Sequence, residues 1–161
     1  MENHPDLPHL DPEGRVHMVS VGEKDATQRL ARAEGTLRTR PQTVRLVAEG
    51  RAPKGDVLAV ARVAAIMAVK RTAEWIPLAH PIPITGVSAD IKMLDDGFLV
   101  VVTVATVGPT GVEMEALTGV SAALLTLYDM LKAQERGMVI EQVRLMEKRG
   151  GRSGTYQREE G

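Results

Sequence analysis

The stretch from Gly108 to Arg136, GPTGVEMEALTGVSAALLTLYDMLKAQER, leaves the chain little local choice. Pro109 and Gly111 end whatever precedes them, since proline lacks an amide donor and glycine weakens regular structure. Glu113 and Glu115 fall in a first turn, where carboxylates suit the positive end of a helix dipole. Leu117, Val120, Leu124, Leu127 and Leu131 then recur at three and four. The spacing predicts one long amphipathic helix with a wide buried face. Asp129 and Lys132 stand three apart near its far end, on one face and within mutual reach. In an arbitrary helix such charges are dipole partners and a weak solvated pair; the alternative is that they serve a site.

A buried face that wide needs a layer to pack on, and the flanking sequence supplies strands. From Gln28 to Arg38, Arg32, Glu34, Thr36 and Arg38 alternate with Ala31, Ala33, Gly35 and Leu37, the pattern of a half-buried strand, with a helix opened by Thr27 as the rival. Ile84 to Leu94 and Phe98 to Val107 are β-branched runs joined by Asp95, Asp96 and Gly97, a hairpin signature. Met138 to Lys148 reads as a last strand. Pro41 to Glu49 suits a short helix stopped by Gly50. Lys54 to Ile76 is a longer helix, apolar on almost every side except at Arg62, and so buried by the sheet below and by something else above. The order strand, helices, strand, strand, helix, strand predicts an α+β chain: a ferredoxin-like split βαβ sandwich whose antiparallel sheet is covered on one face by two long helices. That all-round apolar helix, with valine on both faces of the strands, points to an oligomer.

At 161 residues the chain is about one domain, expected over 15–155, with a flexible arm at 1–14 and a frayed tail at 156–161. Val16 to Val21 reads as a short extended run, and His4 and His9 as solvated. A net charge of -1, with one tryptophan, two tyrosines and one phenylalanine, argues against nucleic acid as a partner. No cysteine is present, which excludes disulfides and thiolate metal sites, and no apolar run approaches the ~20 residues needed to span a bilayer. No cationic, hydrophobic leader opens the chain, and the expected compartment is the cytoplasm.

Three further segments carry chemistry. Lys54 precedes its helix at the positive end of the dipole, a setting that disfavours an ammonium and favours a base, with Asp56 acting in the opposite sense. In PLAHPIPI, Pro77, Pro81 and Pro83 fix three φ angles and Pro81 also bars His80 from the helical region, so its imidazole sits on a stiff, extended segment. No second histidine or cysteine stands near it at metal-ligand spacing, and a zinc site is rejected. Lys148 to Gly154, KRGGRSG, sets three cations among three glycines, a donor-rich loop that backbone amides can open to phosphate; a disordered end is the other reading.

Certain strings are more specific: KGDV from Lys54, AVKRT from Ala68, IPLAHPIPI from Ile76, TGVEMEALTGVSAALLTLYDMLKA from Thr110 and VRLMEKRGGRSG from Val143. Together they resemble the cyclic pyranopterin monophosphate synthase (MoaC) family of molybdenum cofactor biosynthesis, in its order and spacing, from about Val16 to Gly154. The resemblance implies a ferredoxin-like subunit assembled as a homohexamer, a trimer of dimers, with active sites where subunits meet. It implies a substrate that is a 3′,8-cyclised 7,8-dihydroguanosine triphosphate, rearranged to the cyclic pyranopterin monophosphate with release of diphosphate. Lys54 and Lys132 match the family's catalytic lysines and Asp129 its aspartate. Leu78, Ala79 and His80, with Met114 and Glu115, match its substrate-contacting segments, and Glu113, Arg29, Lys148 and Arg152 its further charged positions. Ala79 stands where many relatives carry cysteine, so no thiol chemistry is required. Arg152 stands where many carry lysine, exchanging a point cation for a planar fork. No cofactor is obligatory, and Mg²⁺ is compatible with the leaving diphosphate. The alternative from another class is a non-catalytic, oligomeric nucleotide-sensing module, because a fold does not dictate a function.

Overall fold

The computed structural model describes residues 10–19 and 26–160. His4 and His9, and Ser20 and Val21 of the expected extended run, lie outside them.

Strand β1 (Thr27–Arg38) is the centre of the sheet. Its alternation holds: Ala31, Ala33, Gly35 and Leu37 are buried, and no helix opens at Thr27. The small residues on this face let a helix approach closely. A Cβ at Gly35 would stand 2.8 Å from a Leu124 methyl and 2.9 Å from Val120, so only glycine fits.

Helix α1 (Pro41–Ala48) has proline at its start and Gly50 (φ +67) after its end. Its N-cap, Arg40, supplies no side-chain acceptor. Buried Glu135 does so from across the fold, accepting from the Arg40 amide at 3.0 Å and the Thr43 hydroxyl at 2.7 Å. The expected helix from Lys54 to Ile76 is shorter and broken. Helix α2 (Val57–Lys70) starts at Asp56, whose carboxylate accepts from the Ala59 amide at 3.0 Å, which leaves Lys54 in the preceding turn. At its other end the Thr72 hydroxyl donates to the carbonyls of Ala68 and Val69, and the chain restarts as the single turn α3 (Thr72–Trp75).

Strands β2 (Ile84–Leu94) and β3 (Gly97–Gly108) form the hairpin. Its turn is Asp95–Asp96 alone, because Gly97 already pairs with Leu94 and lies against the Leu37 carbonyl where a Cβ would collide. Helix α4 (Glu113–Leu131) is the predicted amphipathic helix, and β4 (Val139–Arg149) follows. The tail departs from expectation. Gly150, Gly151 and Gly154 adopt positive φ and fold the chain back, so that Tyr156 and Gln157 form β5 (Tyr156–Gln157) against Lys148 and Glu147. The last residues of the expected arm are likewise turned: Leu10 bridges Val16 around Asp11, whose carboxylate accepts from the amides of Glu13 and Arg15.

The sheet order is β2-β3-β1-β4-β5 with every neighbour antiparallel, the ferredoxin-like α+β arrangement with one added edge strand. Between the sheet and helices α2 and α4 lies the core, with Leu37, Phe98, Leu124, Leu127 and Leu131 fully buried. Each such side chain contributes roughly 1.5–3 kcal/mol. Gly119 lets α4 cross α2 closely: a Cβ there would lie 2.8 Å from Val69 and 3.4 Å from the Ala65 carbonyl. The α4 axis is thereby fixed on the sheet, and its two ends emerge at separate places. Among the described residues no helix is long and apolar enough to cross a membrane.

Candidate active site

The predicted site residues fall into three groups, two around the start of α4 and one at its end. At the end, Lys132 caps the helix and its ammonium donates to Asp129 Oδ1 at 2.7 Å. Lys54 reaches over from the turn before α2, 3.2 Å from the Asp129 carbonyl oxygen and 3.5 Å from its Oδ2. Its ammonium is thus met by a carboxylate and a carbonyl at the negative end of α4, not by the amides of α2 as the sequence suggested. The hydrogen bond from Lys132 and then its charge, followed by that of Lys54, hold the Asp129 carboxyl below the usual carboxylate range. All three side chains remain about half exposed, 48–58%. The triad is assembled within one chain and open on its outer side.

At the start of α4, Glu115 is buried and His80 faces the same cavity, of about 370 Å³. The proline segment that carries His80 is tied to the sheet by the Thr106 hydroxyl, which donates to the Pro83 carbonyl. Burial pushes the Glu115 carboxyl up to about 7, opposed by its own backbone amide and aided by the charge of Glu113. Lys70, Arg71 and Glu74, from the break between α2 and α3, also line this cavity. None of these three was singled out from the sequence, although Lys70 and Arg71 lie within the AVKRT string. The break in the helix, invisible in its apolar pattern, is what sets these three exposed residues along the cavity. Leu78, Ala79 and Met114 adjoin this cavity in sequence but do not line it.

The third group surrounds a cavity of about 470 Å³ between the loop before α4 and the glycine loop after β4. Arg29, Thr110, Gly111, Gly151, Arg152 and Ser153 line it. Arg29 donates from Nε to the Gly108 carbonyl at 3.3 Å and from Nη2 to the Pro109 carbonyl at 3.2 Å. Lys148 is not part of this wall. Its ammonium closes the glycine loop, donating to Ser153 Oγ and to the Gly154 carbonyl at 3.1 Å. The Glu113 carboxylate packs against Gly111 at the cavity's edge. Among the described residues no three histidine or carboxylate side chains converge as metal ligands.

The MoaC family model matches residues 18–151, which contain the lysine triad, the His80 and Glu115 cavity and all of the third group but Arg152 and Ser153. The chain belongs to the MoaC family. It is 57% identical over 157 residues to a cyclic pyranopterin monophosphate synthase of Thermomicrobium roseum, covering 96% of this chain and 95% of that one. It is 54% identical over 151 residues to the cyclic pyranopterin monophosphate synthase of Novosphingobium aromaticivorans, covering 94% and 96%.

In this MoaC-family chain the cation-lined cavity suits phosphate oxygens, the pocket with buried Glu115 and half-buried His80 suits a polar ring, and the triad suits proton transfer. Glu115 and Asp129 are fourteen residues apart on one helix, roughly 21 Å along its axis. One chain therefore places both cavities around the start of α4 and the lysine triad at its other end.

Proposed function

We propose that this chain is a cyclic pyranopterin monophosphate synthase of molybdenum cofactor biosynthesis. It would convert the 3′,8-cyclised 7,8-dihydroguanosine triphosphate to cyclic pyranopterin monophosphate and diphosphate, a phosphorus-oxygen lyase reaction. The observation that carries this reading is the identity above one half, over nearly the full length of both chains, to two relatives of that name.

The residues divide the work in this reading. Opening and reclosing a nitrogen-rich ring requires proton transfers, assigned to Lys54 and Lys132, with Asp129 orienting and tuning Lys132. The base is bound in the pocket of His80 and Glu115, with Leu78, Ala79 and Met114 next to these in the chain and Glu113 between this pocket and the phosphate cavity. Closing the cyclic phosphate expels diphosphate, whose developing charge Arg29 and Arg152 meet, while Lys148 shapes the loop that presents Arg152. Among the described residues no carboxylate lines the phosphate cavity itself, Glu113 reaching only its edge. Mg²⁺ accordingly enters the reading as a counter-ion of the diphosphate and not as a resident metal.

The separation along α4 supports a site completed by a second subunit, in which one protomer supplies the two cavities and its partner the lysine triad. Exposed apolar side chains suit such an assembly: Val60, Val63 and Met67 on α2 and Leu125 on α4 are 45–55% exposed. A homohexamer built as a trimer of dimers, working in the cytoplasm on a soluble nucleotide-derived substrate, is the form we favour. The decisive experiment incubates the purified chain with the cyclised substrate and follows diphosphate release. Substrate binding without release would favour a nucleotide-sensing module instead.

A further inference from the structure

We propose that Gly151 is a positioning residue: by lacking a side chain it lets the Arg29 guanidinium lie across the glycine loop with one nitrogen free for a substrate phosphate. The inference rests on the reading of the Arg29 cavity as the phosphate site. Arg29 spends two of its three guanidinium nitrogens on the loop before α4, Nε on the Gly108 carbonyl and Nη2 on the Pro109 carbonyl. Nη1 has no hydrogen-bond partner among the described residues and lies against Gly151, where both line the cavity. An added Cβ at Gly151 would collide with Nη1 and stand 2.9 Å from Cζ and 3.4 Å from Nη2. Gly150, its neighbour, meets a different obstacle first, the backbone carbonyl of Gln28, with Arg29 touched only at Cδ, 3.3 Å away. The two glycines thus have separate tasks: Gly150 lets the chain turn away from β1, and Gly151 leaves room for a cation.

The guanidinium is planar and pinned at two nitrogens, so it cannot retreat from a methyl group without releasing a carbonyl. Replacing Gly151 should therefore act through Arg29. Backbone strain must be separated from this, since Gly151 has φ +83. Gly50 provides the control: at φ +67 it has nothing within 4 Å of an added Cβ. Gly151→Ala and Gly50→Ala should share the strain, while only the first displaces Arg29.

The test measures inorganic diphosphate binding by calorimetry, with thermal unfolding, for the full chain and for Gly151→Ala, Gly50→Ala, Arg29→Ala and the Gly151→Ala/Arg29→Ala double variant. We expect Gly151→Ala to bind diphosphate ~10-fold or more weakly, the loss of one charge-assisted hydrogen bond, and Gly50→Ala to bind like wild type. With Arg29 already removed, Gly151→Ala should cause no further loss, because the two act as one unit. If Arg29→Ala weakens binding and Gly151→Ala does not, or if the two losses add, the positioning role is wrong while the phosphate reading stands. If Arg29→Ala leaves diphosphate binding unchanged, the phosphate reading fails and takes the proposal with it. Should Gly151→Ala alone not fold, the double variant decides: folding regained on removing Arg29 supports the collision, and failure in both backgrounds overturns it.

Discussion

Lys132 and Arg29 illustrate how differently two cations can be used. Lys132 is held by one carboxylate, half exposed, on a flexible stem, and can gain or lose a proton during a reaction. Arginine keeps its proton, so Lys132→Arg should retain triphosphate binding and lose turnover by about two orders of magnitude or more. Wild-type turnover in that variant would remove Lys132 from the acid/base role and restore the sensing module as a competitor. Glu115 allows a prediction in pH. Its carboxyl is raised to about 7 by burial. The folded chain therefore holds a proton that the unfolded chain has released between the ordinary glutamate range and that value. Stability should fall as pH rises through this window and level off above it. Glu115→Gln cannot ionise, so it should raise the melting temperature relative to wild type more at pH 8 than at pH 5. An equal shift at both values would show that folding does not raise this carboxyl. His80 is tied to function by a simpler contrast. The flanking prolines already set its backbone, so His80→Ala should impair substrate binding or turnover with little change in melting temperature.

At the scale of elements, α1 is a helix whose cap lies elsewhere in the chain. Glu135 sits just beyond α4 and accepts from an amide and a hydroxyl at the start of α1. Glu135→Ala would leave the buried Thr43 hydroxyl without its acceptor and release the part-buried Arg40 amide, and should cost about 1–3 kcal/mol, read from chemical denaturation, with the helix content otherwise retained. Nothing near Arg40 in the sequence announces this cap, because a long-range acceptor leaves no trace in local spacing. The break between α2 and α3 was hidden for a related reason. An apolar run of alanine and valine continues through Ala68 and Val69, and the hydroxyl of Thr72 takes up both of their carbonyls where the helix stops. The same break delivers Lys70, Arg71 and Glu74 to the cavity of His80. By contrast α4 was legible throughout, since its leucine spacing and first-turn acids agree with its tertiary role.

For the whole molecule, the length of α4 sets the strongest constraint. If Glu115 and Asp129 serve one reaction, they must come from different subunits, and lesions at the two positions should complement. Glu115→Gln and Asp129→Asn chains, each inactive alone, should regain activity when unfolded together and reassembled. In a mixed dimer one site collects both lesions and the other none, so random pairing should restore roughly a quarter of wild-type activity. Asp129→Asn mixed with Lys132→Arg should stay inactive, since both lesions lie in the same half-site. If exchange of subunits is verified by mass and the first mixture shows no activity, the shared site is wrong for these residues.

The sequence by itself determined the period of each main element and hence the order of strands and helices. Antiparallel layering on one face follows from these, because local spacing dictates which residues can share a buried side. The motif strings carried the family, and the close pair of Asp129 and Lys132 followed from helical spacing alone. The direction in which Lys54 points was decided by the fold, since packing α2 on α4 brings its turn to the far helix's end. Folding likewise removed Lys148 from the phosphate wall and joined Tyr156 to the sheet, because both depend on where three glycines at positive φ turn the chain. Spacing reports which residues share a face; only the packed backbone decides which faces meet, and therefore which charges end up in one cavity.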